Sequence, residues 1–130
     1  MAYTTINKCT SYFNDKFYTG NGGTNAQTGV GFQPDWTWIK NRSGSDMHSL
    51  YDSVRGVNKV IRTNGTNAES TQTDGLTAFG ADGFTVGASG SVNTNSNNFA
   101  SWSWKAGTTG SGTTTGSGTG KAYSYSVNTT

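Results

Sequence analysis

Pro34 is the only proline in a chain of 130 residues, and it stands immediately before Asp35-Trp36-Thr37-Trp38-Ile39. A proline pushes the residue before it, here Gln33, toward extended backbone, and Gly31 supplies the conformational freedom that a turn entering a strand needs. A strand is therefore expected to begin near Asp35. The residues that follow are aromatic or β-branched, and a period of two places Trp36 and Trp38 on one face with Thr37 and Ile39 on the other.

A second pair of the same form, Trp102-Ser103-Trp104, lies near the end of the domain-like part, and the two pairs hold all 4 tryptophans. The preference of large aromatics for burial predicts that both pairs pack into one core, with Ala100 continuing their face and Phe99, Ser101 and Ser103 pointing away. A functional reading stands beside this one. If a pair is exposed, it forms a stacking platform for a sugar or a base.

The remainder reads as short strands punctuated by turns. Only 31% of residues are hydrophobic while glycine contributes 19, a composition that suits many turns between short β-strands in a single domain. Residues 1–16 are expected to form an N-terminal arm. Phe17-Tyr18-Thr19 reads as a short strand closed by Gly20-Asn21-Gly22-Gly23, and Met47 to Gly56 alternates in a way that favours strand over helix. Val57 to Arg62 is the next strand, ended by the turn signal Asn64-Gly65. Asn67 to Asp74 and Ala88 to Asn98 read as polar loops. Between them Gly75–Phe79 and Gly83–Gly87 form a hairpin across Gly80-Ala81-Asp82, and Phe99 to Lys105 is the last strand of a module spanning 17–106. From Gly107 to Gly120 only Gly, Ser and Thr occur, the composition of a flexible linker, and residues 121–130 then look like the start of a further β-module in a longer chain.

Chemistry is sparse. A formal charge of +2 with scattered basic residues gives no patch for nucleic acid. No run approaches the length of a membrane span, so no membrane insertion is expected. Cys9 is the only cysteine, which leaves no intrachain disulfide and no cysteine-based zinc site. His48 has Asp46, Ser49 and Asp52 beside it, but a triad needs groups that converge in space, not neighbours in sequence. The carboxylates available for glycoside hydrolysis sit mostly in turns. The glycine runs lack the Lys-Ser/Thr ending of a phosphate loop. Asp74 and Asp82 could offer oxygens to calcium, yet loop aspartates more often cap turns. No catalytic residues, metal or cofactor are therefore assigned.

The segments Gly31 to Ser43, His48 with Leu50 to Gly56, Leu76 to Phe79, Asp82 to Thr85 and Trp102 to Gly107 together resemble a module of virion proteins from marine tailed bacteriophages. The likeness runs in the same order over residues 1–107, includes the Tyr-Thr-Gly-Asn-Gly theme at Tyr18 to Gly22, and departs at Ser103. It implies an antiparallel β-sandwich of jelly-roll or lectin-like type and a non-enzymatic place in the virion. The part expected is the N-terminal region of a tail fibre, attached to tail or adaptor proteins, trimeric, and carrying distal modules that recognise the host. A capsid-decorating or head-fibre protein is the alternative within that class. A carbohydrate-binding module for a host surface glycan, using Trp36, Trp38 or Tyr51, is the alternative outside it, and it requires an indole exposed beside Asn or Asp side chains.

Overall fold

The alternating run after Pro34 is strand Trp36–Asn41, and its pairing on both sides organises the larger sheet. The computed structural model describes residues 8–106, 108–115 and 118–127. Its strands, in chain order, are β1 Phe13–Thr19, β2 Asn25–Thr28, β3 Trp36–Asn41, β4 Ser49–Asp52, β5 Lys59–Arg62, β6 Ser70–Thr71, β7 Leu76–Gly80, β8 Gly83–Val86, β9 Asn98–Trp104, β10 Thr108–Thr113 and β11 Ala122–Val127. All pair antiparallel, in a six-stranded sheet ordered β1-β9-β3-β4-β5-β6, a three-stranded sheet ordered β2-β8-β7, and the hairpin β10-β11. The fold is all-β and antiparallel, as the turn-rich composition predicts.

One core serves both larger sheets. Tyr18, Ile39, Tyr51, Val60 and Phe99 come from the six-stranded sheet, Leu76, Phe84 and Val86 from the three-stranded sheet, and Val30, Phe32 and Val92 from the connections. This sets which face of the alternating strands goes inside. On β3 the buried residues are Thr37, Ile39 and Asn41, and on β9 they are Phe99, Ser101 and Ser103. The expectation that the tryptophans form the core, with Phe99, Ser101 and Ser103 turned away, is therefore reversed. Only Ala100, on the tryptophan side, is buried there as well.

The physical reason lies in the register. Trp36 pairs with Trp104 and Trp38 with Trp102, so all four indoles are forced onto one side together. A smaller sheet can cover only one side. The side it covers carries Ile39, Tyr51 and Phe99, which interlock with Phe84, Val86 and Leu76, while the indoles shield each other laterally on the opposite side.

Small polar residues on the covered side are matched to partners. Thr37 and Ser103 lie opposite each other with their hydroxyls 3.3 Å apart. Asn93 closes the short helix α1, Gly90–Asn93, and is fully buried. Its amide nitrogen donates to Asn21 Oδ1 at 2.9 Å, Gly23 O at 2.6 Å and Gly87 O at 2.8 Å, and its oxygen accepts from Asn21 N at 3.0 Å and Asn25 Nδ2 at 2.9 Å. Burial of polar groups is tolerated because each is paired in this way. At Gly83, with φ of 146°, a Cβ would lie 2.0 Å from Gln27 O, so the approach of β8 to β2 admits only glycine there.

Several boundaries move. Phe13 to Lys16, expected in the arm, belong to β1 and pair with Trp104 to Ser101, while the arm residues 1–7 lie outside the described residues. Helix α1 interrupts what reads as a polar loop, and β6 interrupts the other. The strand expected from Met47 to Gly56 is confined to β4, because Asp52 Oδ1 accepts from Arg55 N at 2.8 Å and turns the chain. The β7–β8 hairpin forms, with Gly80 paired to Gly83. Thr108–Thr113 of the expected linker is a strand hydrogen-bonded to Ala122–Val127, so this part of the linker is one arm of a hairpin and not a coil. Threonine, β-branched, is at home in such a ladder. Positions 107, 116 and 117 of the linker, and 128–130, lie outside the described residues.

Candidate functional site

The outer side of the six-stranded sheet is built rung by rung from the pairing. Phe13, Trp104, Trp36 and Asp52 form one cross-strand row; Asp15, Trp102, Trp38, Leu50 and Ile61 form the next; Phe17, Ala100 and Lys40 form a third. Two residues along a strand separate neighbouring rows by about 7 Å. The four indoles are half-buried, and Phe17 at the end of the patch is 62% exposed.

The rings hold one another at defined angles. Trp36 meets Trp104 edge to face with centroids 4.3 Å apart, Trp38 meets Trp102 at 5.3 Å, and Phe13 leans on Trp104 at 4.8 Å. His48 closes the other side of Trp38 at 5.8 Å, and Arg42 lies 5.1 Å over the Phe17 ring. Such tilted pairs follow the quadrupole of the aromatic ring and fix the rings against one another. The result is a stiff aromatic surface mounted on a sheet.

Its polar groups divide into occupied and open. Trp38 Nε1 donates to Thr63 Oγ1 at 3.0 Å. Lys40 Nζ donates to Gly44 O at 3.0 Å and Asp46 O at 3.1 Å, and Asp52 holds Arg55 Nε at 2.6 Å, with Glu69 taking Arg55 Nη1 at 3.1 Å. By contrast, among the described residues the indole N–H groups of Trp36, Trp102 and Trp104 have no acceptor and are not sealed from solvent, and the exposed Asp15 carboxylate has no donor.

Of the three binding candidates read from sequence, the structure brings Trp36 and Trp38 together on this surface and removes Tyr51 from it. Tyr51 is fully buried, because β4 alternates out of phase with the tryptophan rows: its partner on β3 is Thr37. Its hydroxyl donates to Gln72 Oε1 at 3.0 Å, which also accepts from Arg62 Nη2 at 3.1 Å. Burial pushes the Tyr51 phenol up to about 12, and burial likewise raises that of Tyr18, whose hydroxyl donates to Val92 O at 2.6 Å. Phe13 and Asp15 are members that sequence reasoning left out, and Trp102 and Trp104 entered it only as one of two alternative stacking pairs. The matched Trp-x-Trp spacing of the two strands was the signal for these two tryptophans, and Phe13 and Asp15 were hidden in the supposed arm.

The residues around His48 go to separate partners. Asp46 accepts from Asn41 Nδ2, Ser49 accepts from Arg62, and Asp52 pairs with Arg55. Asp82 is a turn cap: its carboxylate accepts from Gly29 N at 2.9 Å and Gly31 N at 2.7 Å, and those two bonds hold its pKa below the usual carboxylate value. Among the described residues no cluster of three or more His, Cys, Asp or Glu could hold a metal, and no helix is long and apolar enough to cross a membrane.

Residues 8–130 match the family model described as Domain of unknown function (DUF7483). The chain belongs to that family. No curated protein and no solved structure matches it. The aromatic sheet face thus belongs to a DUF7483 domain, and its chemistry is the guide to what the domain does.

Proposed function

We propose that this chain is a non-enzymatic structural module of a bacteriophage particle, the N-terminal part of a tail fibre, and that the outer face of its six-stranded sheet is a recognition surface separate from its attachment to the virion. The observation that carries the binding half of this reading is the two-rung tryptophan face, a contiguous, half-buried aromatic surface on the side of the sheet opposite the core. Uncovered aromatic patches on a rigid scaffold are characteristic of interaction sites. The virion half rests on the resemblance of residues 1–107 to phage virion modules. Attachment to tail or adaptor proteins and assembly as a trimer belong to the same proposal.

Cryo-electron microscopy of the particle that carries the chain tests it. Density for the module against a tail or adaptor protein, in three copies, is the expected result. Density on the capsid lattice replaces the fibre reading with decoration, and a particle without the chain ends both.

A further inference from the structure

We infer that the outer sheet face binds carbohydrate, specifically a neutral, hydroxyl-rich chain of pyranose units lying across Trp36, Trp38, Trp102 and Trp104, with Asp15 at its edge. This rests on the reading of that face as the contact surface and adds the chemistry of what it contacts. Three features select the ligand. The indoles offer apolar ring surface in two rows about 7 Å apart, to which the C–H faces of sugar rings are complementary.

Next, the open polar groups are of both kinds. The N–H groups of Trp36, Trp102 and Trp104 are donors in want of an acceptor, and the Asp15 carboxylate, opposite Trp102, is an acceptor in want of a donor. A hydroxyl supplies either. A purely apolar partner would bury these groups and leave donors and a carboxylate unsatisfied, which is costly.

Lastly, the charged groups around the face are of both signs and dispersed. Lys40 is bound to backbone carbonyls and Arg42 rests on Phe17, while Asp52 is matched by Arg55. No basic groove tracks the indoles, as a nucleic-acid strand would need, although bases also stack on aromatic rings. A neutral polyhydroxylated chain meets all three conditions.

The test is a titration of tryptophan emission in the full chain with cellohexaose, laminarihexaose and chitohexaose, with an oligogalacturonate of equal length as the anionic comparator. A saturable change with at least one neutral hexaose and none with the uronate is expected. Trp102→Ala should weaken binding by roughly tenfold or more. Asp15→Asn, exposed and without a structural partner, should weaken it several-fold at an unchanged melting temperature. The inference is overturned if none of the neutral hexaoses changes the emission at millimolar concentration, or if Asp15→Asn and Trp102→Ala bind as the parent does. It is also overturned if sedimentation shows dimers that Trp102→Ala dissociates. Microscopy separates the two proposals: a particle lacking the chain removes the virion reading and leaves the titration standing, whereas a particle in which another protein covers the tryptophans removes the carbohydrate and keeps the module.

Discussion

The two faces of strands β3 and β9 are made from residues that alternate one by one, yet they obey different rules. The inner face packs Ile39 and Phe99 among Tyr51, Phe84 and Val86 and closes its polar members in hydrogen bonds, as between Thr37 and Ser103. The outer face carries far more aromatic surface, leaves it half-buried, and holds it in shape by edge-to-face and tilted contacts between rings. Hydrophobic mass therefore does not decide which side becomes the core. What decides is which side a second layer can interlock with, and the three-stranded sheet interlocks with the side of Phe99.

This difference is open to direct attack. Phe99→Ala removes a fully buried ring and should destabilise the domain by about 3–5 kcal/mol, whereas Trp102→Ala, on the same strand but the opposite, half-buried face, should cost less, about 2 kcal/mol, for the partial burial of its ring and the lost pairing with Trp38. Urea unfolding of both variants measures the gap. Equal losses would mean that the outer face is covered in solution.

How much of this was legible beforehand follows from the same contrast. The alternation at Trp36 to Ile39 announced a two-faced strand, and the turn signals placed the β7–β8 hairpin. The face that turns inward was not readable, because both phases contain residues that can be buried and the choice depends on segments far away in sequence. Tyr51 was misread for that reason: its phase is set by pairing to Thr37, not by its own chemistry. Of the candidate site, Trp36 and Trp38 could be found by type and spacing, while Asp15 needed the β1–β9 register that no local pattern displays. The Gly/Ser/Thr tract misled in another way, since Thr108–Thr113 needs only a backbone partner, supplied by Ala122–Val127, to become a strand.

The inner face can also be broken through its polar ties. Asn93→Ala leaves Gly23 O, Gly87 O and the Asn21 N–H without a buried partner and should cost roughly 3 kcal/mol, with no change in tryptophan emission of the folded protein. Asn93→Asp, which sets a carboxylate oxygen against Asn21 Oδ1, Gly23 O and Gly87 O in a fully buried site, should cost at least as much as the alanine variant.

Alkali probes the same side with a smaller effect. The folded-state pKa of Tyr51 is raised, from 10.0 to about 12, so the stability linked to it is fully present below pH 10 and is lost as pH rises through about 12. The melting temperature should decline over that window. Tyr51→Phe should decline less steeply there while beginning lower, having lost the bond to Gln72.

The smallest effect separates the faces most cleanly. Asp82 clamps the turn at Gly29 and Gly31, between which Val30 enters the core and donates its N–H to Asp82 O at 3.1 Å, so the carboxylate acts on the inner layer only. Its folded-state pKa is lowered from 3.8, and its contribution is accordingly present above that value and lost as pH falls through the folded one. The carboxylate is fully exposed and solvent screens it, so a fall of no more than a few degrees in melting temperature is expected for Asp82→Asn at pH 7. The two proteins should converge as the pH is lowered below the ordinary carboxylate range. Throughout, emission from the outer tryptophans should be identical in parent and variant. A difference in that emission would mean that the turn under Val30 and the aromatic face are mechanically coupled through the sheet, and the two faces would then have to be treated as one unit.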